Sequence, residues 1–219
     1  MADVKQIIAH RVAQELKDGY VVNLGIGLPT LVANYVPEGI DISLQSENGI
    51  IGMTGTPKEG EPIDLDVVDA GGSPSGMRPG SCCFSSFTSF GYIRGGHVDY
   101  TVLGAYEVDQ KGNLANWMIP GKAAAGMGGA MDLVTGAKNT IVMTVHCDKT
   151  GKSKIVRKTT LPLTGVGVVN YVVTEKCVFH FTKEGMVLEE LAPGETVESI
   201  KAITDCDIIV PDVIKSMED

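Results

Sequence analysis

The stretch Tyr20-Val21-Val22-Asn23-Leu24-Gly25-Ile26-Gly27-Leu28-Pro29 decides the fold class. Its first five residues read as a short, mostly apolar strand, and the spaced glycines as a loop. Pro29 reads as an early helical position, where the missing N–H of proline costs nothing. The helix so begun is stopped by Pro37, because proline removes a donor and clashes with the preceding turn. Beyond it, the alternation Ile40, Ile42, Leu44 reads as a half-buried strand. A strand–loop–helix–strand order places its two strands parallel, joined by a right-handed crossover. The expected fold is therefore α/β, with an open, mostly parallel sheet flanked by helices.

The rest of the chain extends that pattern. Upstream, Val4, Ile7, Ile8, Val12 and Leu16 fall on one face of a helix that Asp18-Gly19 ends. Downstream, residues 54–80 are rich in Gly, Pro and Ser, with a short apolar piece at Ile63–Val68, and read mostly as loop. Phe84–Ile93 reads as a helix, Val98–Leu103 as a strand and Asn139–His146 as a buried strand. The tail alternates strand-like pieces (Tyr171–Thr174, Cys177–Phe181, Met186–Leu188) and closes with a capped helix from Glu195 to Thr204. With no internal repeat, low-complexity tract or linker, residues 1–219 are expected to form a single domain.

Bulk composition narrows the function. With 219 residues, 43% hydrophobic and 21% charged, the chain has ordinary soluble composition. A formal charge of −9 argues against nucleic acid, whose binding needs a basic surface. An anionic ligand would have to be met by local groups, some of which a second subunit could supply. No apolar run approaches the roughly 20 residues that span a bilayer. Met1–Ile8 carries an early acid and lacks the apolar core of a secretory leader, so a cytoplasmic, membrane-free protein is expected. The five cysteines (Cys82, Cys83, Cys147, Cys177, Cys206) show no Cys-x-x-Cys spacing and read as reduced, mostly buried thiols. The four isolated histidines lack paired spacing, so no metal site is expected.

In open α/β sheets, ligands bind beyond the carboxyl ends of the strands. Three segments reach such positions. Gly25-Ile26-Gly27-Leu28-Pro29 can turn backbone N–H groups toward an anion, or can be a plain strand-to-helix turn. Ser46-Glu47-Asn48-Gly49 sets a lone acid on a tight turn between Leu44 and Ile50-Ile51. Apolar neighbours leave that carboxylate poorly solvated, as a nucleophile requires; a structural turn acid accepting backbone N–H groups is the alternative. Gly126-Met127-Gly128-Gly129-Ala130-Met131-Asp132 is a second glycine cluster that reads as the approach to a helix. Other candidates are weaker. His97 is the best-placed histidine, yet no nucleophile elbow accompanies it. His10 reads as surface, His146 as the end of a buried strand and His180 as part of a hairpin. The cluster Lys149, Lys152, Lys154, Arg157 and Lys158 reads as a solvated loop or a phosphate contact. Trp117, the only tryptophan, reads as packing.

Taken in order, these segments resemble the β subunit of a family I coenzyme A transferase, the short-chain type acting on acetate, butyrate and acetoacetate. The resemblance runs almost end to end. It rests on Asn23 to Thr30, Leu44 to Gly49, Ile93-Arg94-Gly95-Gly96-His97, Leu114 to Lys122, Gly126 to Leu133, and Leu161-Pro162-Leu163-Thr164. It implies an open α/β/α sandwich, Glu47 as the nucleophile, and a coenzyme-binding first loop at Gly25, Ile26, Gly27, Leu28 and Pro29. It also implies a backbone donor from the later glycine pair, at Gly129 rather than Gly128. Gly128, Ser46 and Asn48 are placed on the coenzyme side, and Ser46 and Asn48 are expected to hold the carboxylate and its turn in place; turn formation alone explains those two nearly as well. Coenzyme A would be a co-substrate and covalent intermediate, with no tightly bound cofactor. A separate α subunit, commonly as α2β2, and short-chain acyl-CoA and carboxylic acid substrates follow from the same resemblance. A glutamate suits the chemistry, being itself a carboxylic acid, and no proton moves, so no histidine base is required. An acyl-CoA hydrolase, a non-catalytic partner subunit and a phosphosugar isomerase on a similar sheet are the competing readings.

Overall fold

In a computed structural model of the chain, residues 3–55, 57, 60–123 and 126–218 are described. Positions 56, 58 and 59 of the expected 54–80 loop lie outside them. Helix α1 (Val4–Ala13) is capped by Asp3, whose carboxylate accepts from the Lys5 N–H. Then come β1 (Val21–Leu24), a 3-10 segment (Leu28–Asn34), β2 (Ser43–Ser46), β3 (Ile50–Met53), β4 (Met77–Cys83) and α2 (Ser86–Arg94). They are followed by β5 (Tyr100–Leu103), β6 (Glu107–Asp109), β7 (Leu114–Ala115), α3 (Ala130–Gly136), β8 (Asn139–Met143) and β9 (Ile155–Val156). The last elements are β10 (Tyr171–Val173), β11 (Cys177–Phe181), β12 (Met186–Leu191), α4 (Val197–Ile203) and β13 (Lys215–Ser216).

Ten strands form one sheet in the order β13-β12-β11-β10-β8-β5-β1-β2-β3-β4, and β7-β6-β9 form a small second sheet. The central run β10-β8-β5-β1-β2 is parallel, with antiparallel strands on either side of it. From β1 the chain moves to β2 on one side and later returns to β5 on the other, so β1 is a topological switch point. A crevice opens beyond its carboxyl end.

Side chains along the central strands alternate between two cores. Val102, Ile141, Met143 and Val173 pack with Ile8 and Val12 of α1 and with Val32 of the 3-10 segment. Leu103, Val142 and Val172 pack on the other face with Val134 of α3 and Ile200 of α4. This is the expected α/β architecture of a sheet between helical layers. One buried ion pair stitches α1 to the sheet: Arg11 Nη2 donates to Glu190 Oε1 at 2.6 Å and also to Glu15 at 2.7 Å.

Several expectations need correction, among them the first helix, which ends at Ala13 rather than at Asp18-Gly19, and the strand from Asn139, which stops at Met143 short of His146. The segment after Gly27 is 3-10 rather than α. Both the N–H and the hydroxyl of Thr30 donate to the Gly27 carbonyl, closing the i to i+3 loop of the tighter helix. The second strand starts at Ser43, where pairing with Val21 begins, so Ile40 precedes it and Ile42 packs on the core without pairing. Met186–Leu188 extends to Leu191 because its partner strand continues back to Cys177. Finally, the cysteines are not mostly buried. Cys177 is, but Cys82 and Cys83 are exposed on β4, which among the described residues pairs on one side only. The capped terminal helix is as read: Thr196 accepts from the Ser199 N–H and Ser199 returns the bond in a capping box.

Candidate active site

The chain reverses between β2 and β3 on the turn Glu47-Asn48-Gly49. Asn23 of β1 is level with Gln45 of β2 in the parallel register, so Glu47 projects just past the carboxyl end of β2 beside the switch point. Gly49 closes the turn with φ 118, a conformation side chains rarely adopt, and a Cβ there would run into the Phe84 carbonyl oxygen. That crowding comes from the Phe84 N–H, which donates to the Gly49 carbonyl at 2.9 Å and ties the turn to the start of α2.

A line of buried amides and one hydroxyl orients the Glu47 carboxylate. Asn23 Nδ2 donates to Glu47 Oε2 at 3.1 Å, and to the Gln45 side-chain and backbone oxygens at 2.9 and 3.1 Å. Gln45 Nε2 donates to Ser89 Oγ at 2.9 Å, and Ser89 Oγ donates to the Ser46 carbonyl at 3.2 Å. Because the Ser89 hydrogen is committed to a carbonyl, Gln45 must present its NH2 to Ser89 and its oxygen to Asn23. Asn23 must then present its own NH2 to Gln45 and Glu47.

The other carboxylate oxygen, Oε1, has no hydrogen-bond partner among the described residues and faces Gly129, immediately before α3. A Cβ at Gly129 would stand 3.3 Å from Oε1 and from Cγ, so glycine is what lets the backbone approach.

Ser46 and Asn48 turn away from the carboxylate. Ser46 Oγ accepts from the Ala70 N–H at 2.9 Å, and Asn48 Nδ2 donates to the Val68 carbonyl at 2.8 Å. Together they clamp a strap formed by residues 67–76. That strap is braced by Ser75 N–H to Val67 O and by Asp69 Oδ1, which accepts from the Gly71 and Ser73 N–H groups. Its tip meets the first glycine loop: a Cβ at Gly71 would lie 3.0 Å from the Ile26 Cγ1. Between strap, loop and turn lies a cleft of about 610 Å³ lined by Gly25, Ile26, Ser46, Glu47, Ala70 and Gly71, among others. No lysine or arginine lines it among the described residues.

The sequence-predicted residues therefore divide. Gly25, Ile26, Ser46 and Glu47 share the cleft, and Gly129 abuts Glu47. Gly25 donates its N–H to Val102 O at 2.9 Å, packing the loop onto the end of β5. Gly27, at φ 87, starts the 3-10 segment, Leu28 packs on the core and Pro29 is buried. Gly128, at φ 57, has open space where a Cβ would be. His97 is exposed and lies against Tyr92 at 5.0 Å, and His10 is exposed too. His146 is fully buried, with Nε2 3.0 Å from Thr204 Oγ1. Of the basic cluster, Arg157 pairs with Asp207, and Lys154 donates to Thr144. Asn23, Gln45, Ser89 and the Val68–Gly71 strap were not singled out from sequence. A polar Asn23 inside Val21-Val22-Asn23-Leu24 was the available signal, since a buried amide must find partners.

The model of the family described as Coenzyme A transferase matches residues 5–202. The chain is 55% identical over 216 residues to the beta subunit of an acetate CoA-transferase of Haemophilus influenzae, covering 99% of this chain and 96% of the relative. It is 49% identical over 207 residues to the B-type subunit of a succinyl-CoA:3-ketoacid coenzyme A transferase of Helicobacter pylori, covering 94% and 99%. Among solved structures, an acyl-CoA transferase apoenzyme from Escherichia coli O157:H7 superposes with a TM-score of 0.78 at 24% identity, a likeness of fold. The match covers 98% of this chain but 43% of that one, so this chain spans less than half of that protein's length. The chain belongs to the coenzyme A transferase family, alongside its B-type subunits.

Proposed function

We propose that this chain is the catalytic β subunit of a cytoplasmic transferase that moves coenzyme A between short-chain acyl-CoA and a free carboxylic acid. One observation carries the reading: the half-buried carboxylate of Glu47 stands at the switch point with one oxygen held by Asn23 and the other unpartnered, among the described residues, against Gly129. Glu47 attacks the acyl-CoA carbonyl, giving a mixed anhydride and CoA thiolate. The thiolate attacks the γ-carbonyl of Glu47, expelling the acyl group as free acid and leaving a glutamyl-CoA thioester. The acceptor carboxylate runs both steps backwards. Every step exchanges one acyl bond for another with no proton transferred, so the absence of a histidine from the described cleft lining is no obstacle.

Charge on the tetrahedral oxyanions is what needs stabilising, and the Gly129 backbone N–H, with Gly128 beside it, is the assigned donor. The first glycine loop, from Gly25 to Pro29, takes the coenzyme, Gly25 and Ile26 lining the cleft directly. The clamped strap holds water from the thioester, giving Ser46 and Asn48 a role beyond the turn. With no cation among the described lining residues, the coenzyme phosphates must be met elsewhere. An α subunit in an α2β2 complex supplies that charge and the acyl pocket, and residues 1–219 act as one domain. Acetate, butyrate and acetoacetate are the proposed acids; the two relatives are named for acetate and for 3-ketoacids.

Product analysis of the complex reconstituted with its α subunit tests this. Isotope-labelled acetate should appear as acetyl-CoA when acetoacetyl-CoA is the donor, with CoA release dependent on the acceptor. Free CoA produced equally well without acceptor would make the chain part of a hydrolase instead.

A further inference from the structure

Two polar atoms on neighbouring strands are buried without a partner among the described residues: Oδ1 of Asn23 in β1 and Oγ1 of Thr101 in β5. Asn23 is 1% exposed and Thr101 is fully buried. An unmet buried oxygen is costly, and native interiors leave few of them. The parallel register sets Asn23 level with Thr101, so the two side chains stand on the same face of the sheet. Strand β1 lies between β2 and β5. Asn23 Nδ2 reaches toward β2, where it donates to Gln45 and Glu47. Oδ1, the other arm of the same carboxamide, therefore turns toward β5 and Thr101. The Ser89–Gln45 chain keeps the amide from turning over.

Adjacent strands lie about 4.8 Å apart, and one water bonded at about 2.8 Å to each of two oxygens spans about 4.5 Å between them. Helices close over this face. Ser89 of α2 bonds Gln45 there, and Leu103, two residues beyond Thr101, shares a core with Val134 of α3. Enclosure and two facing polar atoms are what a buried water requires.

We propose that one buried water bridges Thr101 Oγ1 and Asn23 Oδ1, and that Thr101 acts through it as a positioning residue for the active site. The Thr101 hydroxyl donates to the water, and the water donates to Asn23 Oδ1. The amide is then held at both ends, by Gln45 and Glu47 on the β2 side and by the water on the β5 side. The line of hydrogen bonds that ends on Glu47 Oε2 thus begins on β5, two strands away from β2. The effect on rate rests on Glu47 being the nucleophile; the water itself does not.

The test compares the parent, Thr101→Val and Thr101→Ser in the complex reconstituted with its α subunit. A crystal structure of the parent complex, sharp enough to show ordered water, should hold density about 2.8 Å from both oxygens. Thr101→Val keeps the shape, loses the hydroxyl and should lose that density. It should lower kcat with acetoacetyl-CoA and acetate by about tenfold, as a loosened reacting group does, and change the KM for acyl-CoA by less than about threefold. Its thermal midpoint should fall, because Asn23 Oδ1 is left unmet. An unpartnered Thr101 hydroxyl predicts the opposite sign, since deleting it removes a penalty and raises the midpoint. Thr101→Ser keeps the hydroxyl and should keep both the density and kcat within about threefold of the parent. Absence of density between the two oxygens in the parent overturns the water, whether or not the variants assemble. An assembled Thr101→Val complex with parental kcat overturns the positioning role. Full activity in Glu47→Gln would instead remove the nucleophile reading, and the density alone would then judge the water.

Discussion

The carboxylate of Glu47 and the backbone of Gly129 lie so close that a Cβ at Gly129 would stand 3.3 Å from Oε1. Gly129 has φ −82 and ψ 0, which any residue adopts, so alanine there brings no backbone strain. Its methyl would press on the nucleophile instead. Gly129→Ala should keep its thermal midpoint and lose about tenfold in kcat, and Gly129→Val about a hundredfold, as small misplacements of reacting groups do. Steady-state kinetics with a melting curve checks this; unchanged kcat in both variants would contradict it.

Ser46 and Asn48 hold the strap rather than the carboxylate. The double variant Ser46→Ala/Asn48→Ala removes two hydrogen bonds worth about 1 kcal/mol each and leaves Glu47 in place. Limited proteolysis should cut faster within residues 67–76, and the fraction of acyl-CoA lost to water should rise. Glu47 should still carry the thioester. A parental ratio of hydrolysis to transfer would show that the strap does not govern water access.

Arg11 and Glu190 form a buried pair far along the sheet from the cleft. Burial opposes the Arg11 charge, but hydrogen bonds to Glu190 and Glu15 outweigh it and leave its pKa raised. Arg11→Met strands the Glu190 carboxylate and should cost about 3–5 kcal/mol in denaturant unfolding. Arg11→Met/Glu190→Leu should recover most of that loss, with kcat of the assembled complex unchanged throughout.

His146 gives stability a pH dependence. Burial first, and then the Lys176 charge, push its pKa down to about 4. Thr204 Oγ1 donates to the Ile200 carbonyl and so accepts from His146 Nε2, which fixes a neutral tautomer. Above the unfolded value of about 6.5 both states are neutral, and this contribution is fully present. As pH falls from about 6.5 toward about 4 the unfolded chain takes up the proton first, so about 3 kcal/mol is lost. Unfolding free energies measured at several pH values should change more steeply with pH for the parent than for His146→Gln across that window. Identical slopes would contradict the assignment.

Most of the architecture was legible because its signals are local. The apolar run Val21–Leu24, the glycines that follow it and the alternating central strands each announce an element and its order. Glu47 was legible for the same reason, as a lone acid on an Asn-Gly turn. What escaped was set by partners distant in sequence. Nothing local says that Asn23 reaches Glu47, or that Ser89, 44 positions past Gln45, fixes which way that amide points. Ser46 and Asn48 looked like supports of the acid beside them, whereas their bonds run to Ala70 and Val68 in the loop-like 54–80 stretch. The 3-10 segment was missed because Pro29 marks a helical start without distinguishing the tighter helix.

Every proposed step depends on Glu47 becoming covalently linked to coenzyme A. Peptide mass spectrometry of the α-reconstituted complex, quenched after incubation with acetoacetyl-CoA, reads that bond itself. The expected spectrum holds a CoA adduct on the peptide containing Ser46-Glu47-Asn48-Gly49, removed by hydroxylamine and absent from Glu47→Gln, which is inactive. An unmodified Glu47 in a complex that is turning over, together with full activity in Glu47→Gln, would refute the covalent mechanism.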